Sequence, residues 1–177
     1  MFHNYSAMNA KERRIRFLGW PAIAVGFLLL GAVGCLSLPL IGTYSSAGTL
    51  VNFSSVPLLF GGLFDTVVDG YPLSMGFSLN IGMLITGQIM ILAALSSFFG
   101  KNNPRNLMIA IVLVVLSAIG VLLFPYFTVW ANKGLVVQEL VYGYGSYIVV
   151  GILFLSLILL CVLYRSSWSF WKKRQIR

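Results

Sequence analysis

Four apolar runs divide the chain, at positions 17–41, 73–99, 107–131 and 142–164, and none of them contains Asp, Glu, Lys, Arg or His. Each exceeds the roughly 20 apolar residues that one membrane-crossing helix needs. The pattern predicts an all-α membrane protein, with four transmembrane helices packed as an antiparallel bundle in one polytopic domain. Strands of an outer-membrane barrel would instead alternate polar and apolar residues over about ten positions. Between the runs lie a loop at 42–72, a tight turn at 100–106 and a short loop at 132–141.

The first loop is the one sizeable connection and predicts a small cap. Thr49–Ser54 reads as a short strand. From Pro57 to Asp69, Phe60, Leu63, Phe64, Val67 and Val68 follow helical spacing, with Gly61, Gly62, Asp65 and Thr66 on the other side. The expectation is an amphipathic helix over 57–69, with Pro57 near its start and Gly70 after its end. Gly61 and Gly62 each cost about 1 kcal/mol against Ala, so this helix needs a surface to lie on. It packs on the bundle or headgroups, or docks a partner through Phe60, Phe64, Asp65 and Asp69.

Charge orients the chain. Only 9% of the residues are charged, against about a quarter in soluble domains. Eleven of the twelve basic residues lie in the N-terminal tail, the 100–106 turn or the C-terminal tail; Lys133 stands apart with Asp65, Asp69 and Glu139. By the positive-inside rule both termini face the cytoplasm, which makes loops 42–72 and 132–141 extracytoplasmic. The net charge of +8 is therefore a topology signal before it is a lipid anchor, and nucleic acid is not an expected partner. Trp168, Phe170 and Trp171 suit a tail along the inner headgroups.

Candidate chemistry is sparse. Asn80 and Gln88 are amides inside an apolar run; Gly76, Asn80, Met83 and Gly87 share a stripe at sevenfold and fourfold spacing, with Gln88 beside it. Such amides glue helices together at about 0.6–2 kcal/mol per hydrogen bond, or line a small pathway. Ser117 is a further candidate in the third run, where Pro125 kinks the outer end. Ala22, Gly26 and Gly34 form a small-residue packing face.

Asp65 and Asp69, four apart, are the one carboxylate pair, and a solvated acidic face is the commoner meaning of such a pair than catalysis or a metal. His3 stands alone. Cys35 and Cys161 sit near opposite ends of the bilayer, too far apart for a disulfide. Ala32-Val33-Gly34-Cys35 after a basic start also fits a lipoprotein signal loosely, with cleavage before Cys35. Asn52-Phe53-Ser54 is a glycosylation sequon.

Gly143-Tyr144-Gly145 resembles the core of potassium-channel filters, but no Thr-Val precedes it; an aromatic belt with small packing residues is the simpler account. Four spans with a long first outer loop resemble the claudin-type layout in topology alone, without the Trp, Gly-Leu-Trp and paired-Cys signature of that loop.

No catalytic, cofactor-binding or metal residue is expected. A hydrolase needs a nucleophile with a base, or metal ligands, and proton-coupled transport relies on ionisable groups within the membrane. The expected function is a non-catalytic accessory, assembly or scaffold subunit of a cell-membrane complex, working with a protein partner or as a homo-oligomer in the bilayer. The alternative is a small oligomeric channel or transporter component whose path runs past Asn80 and Gln88.

Overall fold

The computed structural model describes residues 3–100, 104–132, 135 and 139–175, with side chains described within 19–166. Lys133 and the side chains of His3, Trp168, Phe170 and Trp171 lie outside the described residues, as do residues 101–103 of the 100–106 turn. Four helices are long and apolar enough to cross a membrane, over Gly19–Ser37, Ile81–Phe99, Arg105–Leu122 and Tyr144–Ser166. They belong to α1 (His3–Gly34) and the 3-10 turn Cys35–Ser37 that follows it, α3 (Ile81–Phe99), α4 (Pro104–Leu122) and α6 (Tyr144–Gln175). α3 packs against α1 and α4, and α6 closes the ring by packing against the same two.

Small residues set the close contacts in this ring. A side chain at Gly26 would enter the ring of Phe98, and one at Gly120 would strike Thr86. Ser97 adds a polar tie, donating its hydroxyl to the Ala22 carbonyl at 2.7 Å.

The fold is not all-α. Strands β1 (Ile41–Tyr44), β2 (Leu50–Asn52) and β5 (Leu140–Tyr142) form a three-stranded antiparallel sheet in the order β2-β1-β5. β3 (Gly62–Val68) and β4 (Tyr71–Phe77) form a separate hairpin. Both sheets sit at one end of the helix ring, here termed the capped end, with two short helices, α2 (Ser55–Phe60) and α5 (Phe124–Ala131).

The expected helix over 57–69 is therefore corrected to the end of α2 followed by a strand. Gly61 and Gly62 leave Phe60 at φ of 80° and 135°, which stops the helix. Asp69 and Gly70 then both take positive φ, 51° and 84°, between the paired residues Val68 and Tyr71. Positive φ at both loop positions is what a two-residue type I′ hairpin turn requires, and Asp-Gly is a preferred sequence for it.

The run ends also shift. The second helix starts at Ile81 rather than 73, because 71–77 is β4 and Asn80 caps the helix. The first ends at Ser37: Leu38 is extended before Pro39, as residues preceding proline prefer, and the chain turns into β1. The third breaks at Leu123 into α5, where Pro125 in the first turn supplies no amide proton to continue the ladder. The expected strand in Thr49–Ser54 is present as β2.

Gly143 and Gly145 have a packing role. Their amides donate to the carbonyls of Leu40 and Pro39, both at 2.9 Å, and any side chain on either would meet the Pro39 carbonyl. Ser146 adds a 2.6 Å hydrogen bond to the Leu40 carbonyl. The Gly-Tyr-Gly segment thus lets the start of α6 approach the end of the first span at backbone distance.

Candidate functional site

The two amides of the second run end up in different surroundings. Asn80 is fully buried at the start of α3. Its Oδ1 accepts from the Met83 amide at 3.1 Å, satisfying one of the donors a helix start leaves open. Its Nδ2 donates to Thr128 Oγ1 at 3.4 Å, and its backbone amide donates to the Leu59 carbonyl of α2 at 3.1 Å.

The network continues through α5. Thr128 Oγ1 donates to the Phe124 carbonyl at 2.9 Å, and Asn132 Nδ2 donates to the Thr128 carbonyl at 2.9 Å. Asn132 Oδ1 in turn accepts from the Ser78 amide at 2.6 Å. Asn80, Thr128 and Asn132 together tie α2, α3 and α5 where the hairpin meets the helices. Sequence reasoning missed Thr128 and Asn132; their spacing of four at a helix end was the available signal.

Gln88 lies on another side of α3. It is exposed and makes no hydrogen bond with the described residues. It faces a lateral cleft of about 340 Å³ between the last turn of the first span, α2 and α3. Leu36, Val56, Leu59, Phe60 and Leu84 form most of the apolar wall. Ser37, the other polar side chain there, already donates to the Gly34 carbonyl at 2.8 Å.

The remaining candidates separate. Gly76 is not on the stripe with Asn80: it lies in β4, exposed, opposite Leu63. Gly87 is buried, and a Cβ there would meet Leu36 Cδ1 at 3.3 Å. Ser117 is buried in α4 and donates to the Leu113 carbonyl at 2.8 Å. Of the small-residue face, Ala22 and Gly26 are buried, while Gly34 opens onto the cleft.

Phe64 does not face outward, as a docking residue would. It is buried against Phe53 and Phe77, with ring centroids 5.7 and 6.4 Å away. Asp65 and Asp69 do not share a helix face. Asp65 is exposed on β3, whereas Asp69 sits in the hairpin turn and accepts from Thr49 Oγ1 at 2.9 Å. Phe60 is exposed at the end of α2.

The outward face of the hairpin carries exposed Leu63 and Val67, 73% and 70% accessible, on either side of Asp65. Asn52 of the sequon is half-buried in the edge strand β2, and its Oδ1 has no hydrogen-bond partner among the described residues. Cys35 and Cys161 are both free thiols. Among the described residues, no three His, Cys, Asp or Glu side chains gather as metal ligands would.

At the capped end, Tyr142 of β5 donates its hydroxyl to the Leu122 carbonyl at 2.6 Å, closing the end of α4 where the ladder breaks. Burial raises the Tyr142 phenol above its ordinary value, with smaller contributions from the neighbouring Tyr126 and Tyr147. No family model matches this chain, and no curated protein matches it.

Proposed function

We propose that the chain is a non-catalytic multi-pass protein of the cell membrane that serves as an accessory, assembly or scaffold subunit. In this reading the four apolar helices run up and down as an antiparallel bundle, with both termini in the cytoplasm. The capped end is then extracytoplasmic. The observation that carries the reading is the outward face of the β3–β4 hairpin, where Leu63 and Val67 stand uncovered. Apolar side chains displayed together on a polar-edged surface mark interaction sites, and a hairpin whose other face is pinned by Phe64 and Phe77 presents them on a firm support.

The use of the interior polar groups supports the same reading. Asn80, Thr86, Ser97, Ser117, Thr128 and Asn132 all make hydrogen bonds within the fold. Asn80, Ser97 and Asn132 join separate elements, whereas Thr86 and Ser117 bond back to their own helices and the buried Ser156 Oγ has no partner among the described residues. The alternative, a channel or transporter component, draws on Gln88 alone, since Asn80 lies on another side of α3.

The test is purification of the tagged protein from its own membrane in mild detergent, as wild type and as the double variant Leu63→Asp, Val67→Asp. A stoichiometric foreign polypeptide, lost in the variant at normal abundance, is the expected result. A chain that travels without any other polypeptide in both forms would sink the accessory reading. Altered flux in Gln88→Leu at normal abundance would favour the channel.

A further inference from the structure

We propose that the lateral cleft beside α3 binds a membrane-dissolved molecule with an elongated apolar body and a hydroxyl group, and that Gln88 receives the hydroxyl. The proposal goes beyond the accessory reading and rests only on the membrane placement of the four apolar helices. It starts from an energetic problem. Gln88 is the eighth residue of α3, so it lies about 10 Å along the helix from Ile81. With the four helices placed across a bilayer, that position falls in the hydrocarbon region, where an amide without partners costs several kcal/mol. Gln88 has no hydrogen-bond partner among the described residues, and Ser37 across the cleft spends its proton on Gly34.

The shape of the cleft selects among occupants. Its volume, about 340 Å³, falls at the small end of the range for small-molecule pockets, about 300–1,000 Å³. Val56, Leu59 and Phe60 place α2 across it toward the capped end. A partner's membrane-crossing helix is about 10–12 Å wide, a poor match for a cleft that α2 walls on one side. A second copy meeting this one symmetrically would set two concave clefts mouth to mouth and leave a void with unmatched walls. What fits is a molecule that enters sideways from the lipid.

The chemistry of the amide narrows the ligand further. A glutamine side chain offers a carbonyl acceptor and an NH₂ donor. A carbonyl or ether on the ligand satisfies only the donor, and a plain hydrocarbon satisfies neither. A hydroxyl both donates and accepts, so one group meets both halves of the amide. An apolar alcohol, a sterol-like or long-chain hydroxyl compound, is the simplest uncharged class that does so.

The experiment uses the full chain reconstituted in phosphatidylcholine bilayers and a hexadecanol probe with a mid-chain diazirine. Photolabelled residues are mapped by mass spectrometry, with unlabelled 1-hexadecanol and hexadecane as competitors. Labelling is expected at Val56, Leu84 and Ile91. One membrane hydrogen bond supports competition by the alcohol about 3- to 30-fold stronger than by the alkane. Gln88→Met, similar in shape, should abolish that preference while keeping the melting temperature. Val56→Trp should fill the cleft and remove the labelling with Gln88 intact. Label spread evenly around the helices would overturn the proposal, as would equal competition by alkane and alcohol, or an alcohol preference that survives in Gln88→Met. A disulfide cross-link from Gln88→Cys to another polypeptide would overturn it too, since a protein would then occupy the cleft.

Discussion

Asn80 and Gln88 are amides on one helix, eight positions apart, in one uncharged run of sequence. The fold treats them as opposites. Asn80 is buried and bonded through its Oδ1, its Nδ2 and its backbone amide, so it belongs to the architecture. Gln88 is exposed on the wall of a cleft with no hydrogen-bond partner among the described residues. The difference teaches that an amide in a membrane helix has no fixed meaning. Position relative to the helix start decides it: at the first residue, open backbone donors need a side-chain acceptor, whereas in the middle of the helix they are already paired.

The largest effect should come from breaking the Asn80 side of this contrast. Asn80→Leu removes the cap of α3 and strips Thr128 of a buried partner, for a loss of about 2–3 kcal/mol. Thermal unfolding of the full chain in detergent should show it as a clear fall in melting temperature and in membrane abundance. Asn80→Ser keeps a capping oxygen but gives up the reach to Thr128, and should recover about half of the loss. An unchanged melting temperature in Asn80→Leu would show that the node does not hold the fold.

Asn132→Ala should follow, at about 1–2 kcal/mol, because the Ser78 amide loses its 2.6 Å acceptor. The effect should be local to the capped end. Hydrogen exchange at Ser78 and through the first turn of α3 should speed up, while the middle of α4 stays protected. Uniform acceleration would contradict the view that this residue ties the hairpin to α5 and nothing more.

Tyr142 gives a smaller effect, with a pH signature. Its phenol is raised above the ordinary value near 10, so between that value and the folded one the unfolded chain has lost the proton while the folded chain keeps it. The stabilisation is fully present below pH 10 and is lost as pH rises through the raised folded value. Tyr142→Phe removes the hydrogen bond to Leu122, costing about 0.5–1 kcal/mol at neutral pH, and should flatten the alkaline fall in stability. An alkaline limb as steep in the Phe variant as in the wild type would assign the titration to another group.

The four apolar helices were legible because length and lack of charge are enough to mark a span. Their ends were not, because hydropathy runs straight through changes of backbone. Leu73, Met75 and Phe77 are apolar for packing in a strand and merge with the helix that follows. The hairpin was hidden for a related reason. Phe64 and Val68 point inward and Leu63 and Val67 outward, so both faces are apolar and the alternation that marks a strand is blurred. Asp69-Gly70 is the decisive signal, since it names a hairpin turn, although Gly70 alone also fits the position after a helix end. The site divided likewise. Asn80 and Gln88 stood out as amides in an apolar run, but the partners of one and the cleft beside the other come from α2 and α5, elements the apolar pattern did not resolve.

Gln88→Leu should have the smallest effect on stability, and the sign is informative. No hydrogen bond among the described residues passes through Gln88, so its removal costs them no pairing. The substitution should leave melting within about 0.5 kcal/mol of the wild type in detergent. In a bilayer it should raise stability, because an amide facing lipid without a partner is replaced by a side chain that lipid accepts. That places Gln88 opposite Asn80: one amide whose loss weakens the fold, and one the fold would be better off without. A side chain that costs the fold stability is what a binding site looks like in thermodynamic terms. A clear loss of stability in Gln88→Leu would reverse this assignment and make both amides parts of the scaffold.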